Sequence, residues 1–270
     1  MLCSIVEAVE IHHEAGSGVG LHAHERGQLL LVLAGTASVI GEGGWWLAPP
    51  GRGVWVPPRV LHGARYSESS RVVQLRLGEM LGSSLPAEPG SIAISDLLRE
   101  LALESVRLGT QERYAHTQEL LGRLMVLQAL LPQRGPGLFV PHGRDRRLRR
   151  AIDFLRRRPA TDMSVDELAK RSSTSSRTLA RLFVTETGMT FGRWRDHLRI
   201  VCAVDALARG QSIMETALQL GYSSASSFTT SFTRVLGAPP RRYMASMRNS
   251  VPGATLGGDA KPSANRADTM

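Results

Sequence analysis

Residues 164–244 contain one short pattern twice, and this repetition constrains the chain more than any other feature. The first copy reads Ser164-Val-Asp-Glu-Leu-Ala-Lys-Arg, a polar turn, then a second segment from Ser175 to Gly188. The second copy reads Ser212-Ile-Met-Glu-Thr-Ala-Leu-Gln-Leu-Gly-Tyr, a turn, then a segment from Ser224 to Gly237. Both open with Ser-x-x-Glu, in which serine and glutamate satisfy each other's free backbone donors at a helix start. Glu167 and Ala169 recur as Glu215 and Ala217 at a spacing of 48 residues. Leu179, Phe183, Gly188 and Trp194 recur as Phe228, Phe232, Gly237 and Tyr243 at 49, which puts the extra residue in the turn. Two helix-turn-helix units in register, bridged by a helix predicted from Phe191 to Ala208 and stopped by Gly210, imply binding to duplex DNA. A rigid bridge can set two recognition helices into successive major grooves, about 34 Å apart.

Charge divides the chain at the same place. The formal net charge of the 270 residues is +9. Residues 1–141 carry 11 Arg against 13 Asp and Glu, a balance of −2, whereas residues 142–248 carry 20 Lys and Arg against 9, a balance of +11. A near-neutral front half before a basic back half reads as a sensing or pairing domain joined to a polyanion-binding one. Cys3 and Cys202 are too few and too far apart for a disulfide framework or a zinc site. Cys202 falls in an apolar run and reads as core. Met1 to His13 lacks a basic leader, and no apolar run has transmembrane length, so a cytoplasmic protein without membrane contact is expected.

The front half reads as an all-β barrel or sandwich followed by a helical hairpin. Gln28 to Ile40 is apolar but divided at Gly35, which predicts two strands joined by a tight turn. Trp45-Trp-Leu, Val54-Trp-Val and Arg71 to Leu77 are further short strands, separated by Pro49-Pro-Gly51 and Pro57-Pro58. From Ser95 the period becomes helical, with Leu97, Leu98, Leu101, Ala102 and Leu108 before Gly109. Leu120, Leu121, Leu124, Met125 and Leu131 follow, and Pro132 ends the second helix. Leu120, Leu127 and Leu130 lie on more than one face, so the hairpin is expected to cover the barrel on one side and pair subunits on another. A first domain at 1–131, a linker at 132–143, a DNA-binding domain at 144–248 and a disordered tail at 249–270 follow from these breaks. The basic helix opening the back half, Arg144 to Arg158, carries one apolar stripe, and its arginines are expected to face solvent or phosphate.

His22 and His24 precede the Gln28 strand, and His62 follows the proline pair. Residues i and i+2 on a strand share a face, so His22 and His24 can enter one cavity. The imidazoles either line a polar ligand pocket or hold a divalent metal, for which three histidines suit Zn, Ni or Fe. Trp45, Trp46 and Trp55 are read as part core and part pocket, suited to a flat organic effector.

The residues Phe191-Gly-Arg-Trp-Arg, Ala217-Leu-Gln-Leu-Gly-Tyr222 and Phe232-Thr-Arg-Val-Leu-Gly-Ala-Pro-Pro-Arg-Arg-Tyr243 resemble the DNA-binding domain of the AraC/XylS family of bacterial transcription regulators. The spacing from His24 through Gln28 to Gly35, and from Gly51 through Pro57 to His62, is similar to the two motifs of cupin barrels. The front half thus resembles a cupin-type sensor domain, with Gln28 where metal-binding cupins place Glu, Arg59 in place of Gly and Tyr66 in place of Asn. The resemblance implies a seven-helix DNA-binding domain, usually dimeric, that activates or represses a nearby gene in response to a small molecule. It places base reading on Arg177, Ala180 and Arg181 in the first recognition helix, and on Ala225, Ser226, Ser227 and Thr230 in the second. It matches His22, His24, Gln28 and His62 to the cupin pocket; with Trp45, Trp55 and Tyr66 these make up the expected effector pocket, in which His22, His24 and His62 are the metal candidates. RNA polymerase is a partner where such a protein activates.

Arginine reads guanine with two donors, whereas small hydroxyls touch a thymine methyl or a phosphate, so unit one is expected to specify and unit two to position. A cupin-type enzyme on His22, His24 and His62 is the competing reading. It would need an acid or base beside the metal, and Glu25 is the carboxylate nearest in sequence. A third reading is a constitutive DNA binder whose barrel only pairs subunits.

Overall fold

The computed structural model describes residues 6–131 and 137–249. Residues 132–136 of the expected linker and 250–270 of the expected tail lie outside the described residues. The front half folds as two five-stranded antiparallel sheets facing one another. The strands are β1 (Val6–His13), β2 (Gly18–His22), β3 (Gly27–Ala34), β4 (Ala37–Gly41), β5 (Gly44–Ala48), β6 (Arg52–Val56), β7 (His62–Tyr66), β8 (Ser70–Leu77), β9 (Gly90–Ala93) and β10 (Phe139–Pro141). One sheet runs β1-β8-β3-β6-β9 and the other β10-β5-β4-β7-β2. As expected, Gly35 separates β3 from β4. Its φ of 73° is one that side chains resist, and a Cβ there would strike Ser70.

Strand alternation assigns each apolar residue to one of three cores. Leu30, Val32, Val39, Trp46, Val54, Val56 and Val72 point between the sheets. Leu29, Leu31, Leu33, Trp55, Val73 and Leu75 point to the outer face of the first sheet, where the hairpin covers them. The hairpin comprises α2 (Asp96–Leu108) and α3 (Ala115–Leu130), preceded by the single turn α1 (Glu79–Gly82). The buried amide of Gln118 ties α3 to α2, donating to the carbonyls of Ser105 and Gly109 at 2.8 Å each.

The back half contains α4 (Arg146–Arg157), α5 (Val165–Arg171), α6 (Ser176–Thr187), α7 (Phe191–Ala208), α8 (Ile213–Gln219), α9 (Ala225–Leu236) and α10 (Pro240–Asn249). These are the seven helices implied by the resemblance. Their core holds Leu148, Ile152, Leu179, Phe183, Trp194, Leu198, Phe228 and Phe232. It is continuous with Trp45 and Leu47 on the outer face of the second sheet.

Two expectations are corrected here. The segment expected to be a plain linker contributes β10, which pairs with β5 in the register Phe139↔Trp46, Val140↔Trp45 and Pro141↔Gly44. Leu138 and Val140 are buried, so these residues are part of the packed structure. Arg156 of α4 is the second correction. Instead of facing solvent or phosphate it lies 4.1 Å from the centroid of the Trp45 ring, where desolvation lowers its pKa.

Candidate nucleic-acid interface and effector pocket

Capping fixes the start of every helix in the two repeated units. Ser164 accepts from the Glu167 amide while Glu167 accepts from the Ser164 amide, and Ser212 with Glu215 does the same. Those backbone bonds hold both glutamates below the usual carboxylate range. Ser175 caps α6 and Ser224 caps α9, and Gly188 and Gly237 close them in left-handed conformations, with φ of 70° and 77°. Leu179, Leu182 and Phe183 turn one face of α6 into the core, as Phe228, Phe232 and Leu236 do for α9. Between the units α7 buries Trp194, Leu198, Val201 and Val204. The guanidinium of Arg199 fastens α7 to the turn before α5, donating to the carbonyls of Pro159, Ala160 and Thr161 and to Asp162. Cys202 packs against the core as expected, and burial pushes its thiol up to about 12.

The opposite faces of α6 and α9 carry the residues expected to meet DNA. Arg177 and Arg181 are exposed one turn apart and make no hydrogen bond or ion pair with the described residues, while Ala180 is half-buried beside them. On α9, Ser226 and Thr230 are exposed and Ala225 and Ser227 half-buried. Two of these hydroxyls are already engaged. Ser227 completes the cap of its own helix with Ser224, and Thr230 donates to the Ser226 carbonyl at 3.1 Å.

At one end of the barrel lies a cavity of about 150 Å³, lined by Ile11, His13, Val19, His22, Gln28, Leu30, Val39, His62, Ala64, Tyr66, Gln74 and Arg76. Strand pairing sets His22 directly across from His62, with ring centroids 4.5 Å apart. His24 lies beyond the end of β2, so strand alternation does not orient it. Its carbonyl accepts from the Arg59 amide at 2.9 Å, and its Nε2 meets Gln28 Oε1 at 2.9 Å. Arg59, standing where the cupin pattern has glycine, adopts φ of 62° and pairs with Glu25 at 2.9 Å. That conformation costs a non-glycine residue about 1–2 kcal/mol. Glu25 is thereby turned to Arg59. His13 stacks on Tyr66 with centroids 3.8 Å apart, and burial pushes the Tyr66 hydroxyl up to about 12.

Of the expected pocket residues, the structure brings together His22, His24, Gln28, His62 and Tyr66. Trp45 and Trp55 do not join them, because alternation along β5 and β6 turns both outward. Trp45 packs against the DNA-binding half, and Trp55 lies beneath the hairpin, its indole donating to the Pro86 carbonyl at 2.8 Å. Sequence reasoning missed His13, Gln74 and Arg76. The signal for the last two was an alternating Gln and Arg inside the apolar run of β8.

An AraC-like ligand binding domain matches residues 5–124, and a helix-turn-helix domain matches residues 168–246. The HTH-type transcriptional regulator NimR of Escherichia coli is 31% identical over 254 residues, covering 89% of this chain and 92% of NimR. The chain belongs to the AraC family. The HTH-type transcriptional regulator RipA of Corynebacterium diphtheriae is 38% identical over 93 residues, 34% of this chain and 28% of RipA. Among solved structures, ToxT from Vibrio cholerae aligns over 92% of this chain and 99% of its own with a TM-score of 0.39 and 10% identity. As a member of the AraC family the protein is a DNA-binding transcriptional regulator with a ligand-binding domain. No helix among the described residues is long and apolar enough to cross a membrane.

Proposed function

We propose that this regulator reads its operator chiefly through Arg177 and Arg181, with α9 positioning the protein on the duplex, and that it answers a small molecule bound in the barrel cavity. The observation carrying the reading is the contrast between the two exposed faces. Among the described residues Arg177 and Arg181 have no hydrogen-bond or ion-pair partner, whereas Ser227 and Thr230 already bond within α9. Free guanidinium groups can make two-donor contacts to guanine, whereas these hydroxyls must give up a bond within α9 before they can donate to a phosphate, a contact without base identity. Ala180, Ala225 and Ser226 complete the contact surface. The experiment is selection of bound duplexes from a random library by the full chain, followed by the same selection with Arg177→Ala. Loss of a guanine preference supports the reading, and an unchanged consensus overturns it.

The working unit in this proposal is a homodimer in the cytoplasm, with RNA polymerase as a further partner at promoters it activates. The dimer rests on α3. Gln118, Gly122, Met125, Val126 and Ala129 are buried beneath that helix, while Leu120, Leu124, Leu127 and Leu131 are 49%, 46%, 60% and 52% exposed. These four leucines recur at spacings of four, three and four, the stripe by which two helices pair. The effector is small, because the cavity is below the roughly 300–1,000 Å³ common for organic ligands. Arg76, Gln74 and the histidines supply its polar contacts.

A further inference from the structure

We infer that Arg241 of α10 is the cation by which the second helix-turn-helix unit grips the DNA backbone. The inference rests on the division of labour between α6 and α9 and deepens it, since a unit that positions the protein has to hold phosphate. Attraction to phosphate comes chiefly from lysine and arginine. The first unit, residues 164–188, carries Lys170, Arg171, Arg177 and Arg181. The second, residues 212–237, carries Arg234 as its single lysine or arginine, and that guanidinium donates to Asp196 of α7 at 2.7 Å. Its hydroxyls are engaged as well, Ser227 in the cap of α9 and Thr230 on the Ser226 carbonyl. The charge that unit two needs therefore comes from outside it.

Arg241 and Arg242 follow Pro240 at the start of α10. Both are exposed, and neither has a hydrogen-bond or ion-pair partner among the described residues. Helical spacing gives them different surroundings. Tyr243 and Met247, one turn apart, are buried in the core, whereas Arg241, Met244 and Ala245 share a different face. That face is one wall of a groove whose other walls include Ser212 and Ala225. Ala225 is the first residue of α9 and one of the positions expected to meet DNA. A duplex strand lying along the start of α9 therefore runs past Arg241. Arg242, the next residue round the helix, does not line the groove. Among the lining residues there is no carboxylate, so the charge of the groove is that of Arg241. A guanidinium can give two parallel donors to one phosphate.

The test uses the full chain and a duplex selected from the random library, with affinity measured across a range of salt concentrations. Arg241→Gln should lower the slope of log affinity against log salt by about 0.9, the share of one phosphate contact. Its affinities for single-base variants of the duplex should fall together, because a phosphate contact reads no base. Arg242→Gln removes the same charge from beside the groove and should keep the wild-type slope. Arg241→Lys keeps a cation at the position and should restore the slope, a rescue that a loss of folding in Arg241→Gln would leave readable. A wild-type slope in Arg241→Gln overturns the anchor, as does a loss confined to particular base pairs. An equal fall in both glutamine variants also overturns it, since net charge would then account for the effect. Arg177→Ala on the same duplexes separates this inference from the reading it rests on. An unchanged consensus in Arg177→Ala with a reduced slope in Arg241→Gln refutes base reading by α6 and keeps the anchor. Lost guanine preference with a wild-type slope in Arg241→Gln does the reverse.

Discussion

The indole of Trp194 donates to the main-chain carbonyl of Pro141 at 2.7 Å, joining the buried core of the bridging helix to the last strand of the barrel. Three residues along the same helix, the His197 ring bonds to the Phe139 carbonyl at 2.6 Å. On its other edge β10 pairs with β5, and Leu47 donates to Leu138 at 2.9 Å. One short strand is therefore held by the barrel through its backbone and by α7 through two side chains.

Trp194→Phe keeps the ring in the core and removes the donor to Pro141. The abandoned buried carbonyl should lower stability by about 1–3 kcal/mol. Urea unfolding of the intact chain would measure this, and a midpoint equal to wild type would contradict it.

Arg177→Ala should cost about 1–3 kcal/mol on the preferred operator and flatten discrimination at one or two guanine positions. Thr230→Ala should cost less and act almost equally on all site variants, since a phosphate contact carries no base identity. Competition binding against single-base operator variants at fixed salt compares the two. A uniform loss in Arg177→Ala with relaxed base preference in Thr230→Ala would mean that the roles of α6 and α9 are exchanged.

Leu127→Glu sets a charge within the exposed stripe of α3 without touching the face that covers the barrel. The variant should be monomeric and bind a single half-site weakly, as should Leu120→Glu. Light scattering across a range of concentrations gives the answer, and a wild type that is monomeric throughout refutes the dimer.

Burial holds the His197 imidazole below its ordinary range. The unfolded chain takes up a proton near pH 6.5, while the folded chain refuses it until the pH falls further. Between those values the unfolded state binds more protons, so stability rises with pH. The contribution is complete above about pH 6.5 and is lost as the pH falls through the lowered folded value. His197→Gln, which keeps a donor for Phe139 and does not titrate, should show a shallower fall in melting midpoint from about pH 7.5 to about pH 5. Equal slopes in the two proteins would remove His197 from the account.

The DNA-binding half was legible because its residues obey local rules. Ser164 and Ser212 announce helix starts, Gly188 and Gly237 announce ends, and Phe183 and Phe232 mark the buried faces. The barrel was legible in its turns and in the company of His22, Gln28, His62 and Tyr66, but less so in its faces. Alternation reveals a face only where one side is polar, and β5 is buried on both sides, so Trp45 and Trp46 cannot be told apart by sequence. Arg156 and Arg199 look like solvated charges because nothing local records the Trp45 ring or the carbonyls that surround them. β10 was hidden by its short length and its Pro and Gly neighbours.

A strand shared in this way affects how sensor and DNA-reading halves can be exchanged between relatives. A hybrid joined upstream of Leu138 gives the incoming barrel a foreign closing strand, whose residues must fit around Gly44, where a Cβ would strike the Val140 carbonyl. A hybrid joined downstream of Pro141 keeps the barrel whole but offers unfamiliar carbonyls to Trp194 and His197. Neither junction is neutral, so the residues on α7 and the strand they grip would have to travel together, as a matched pair inherited from one parent.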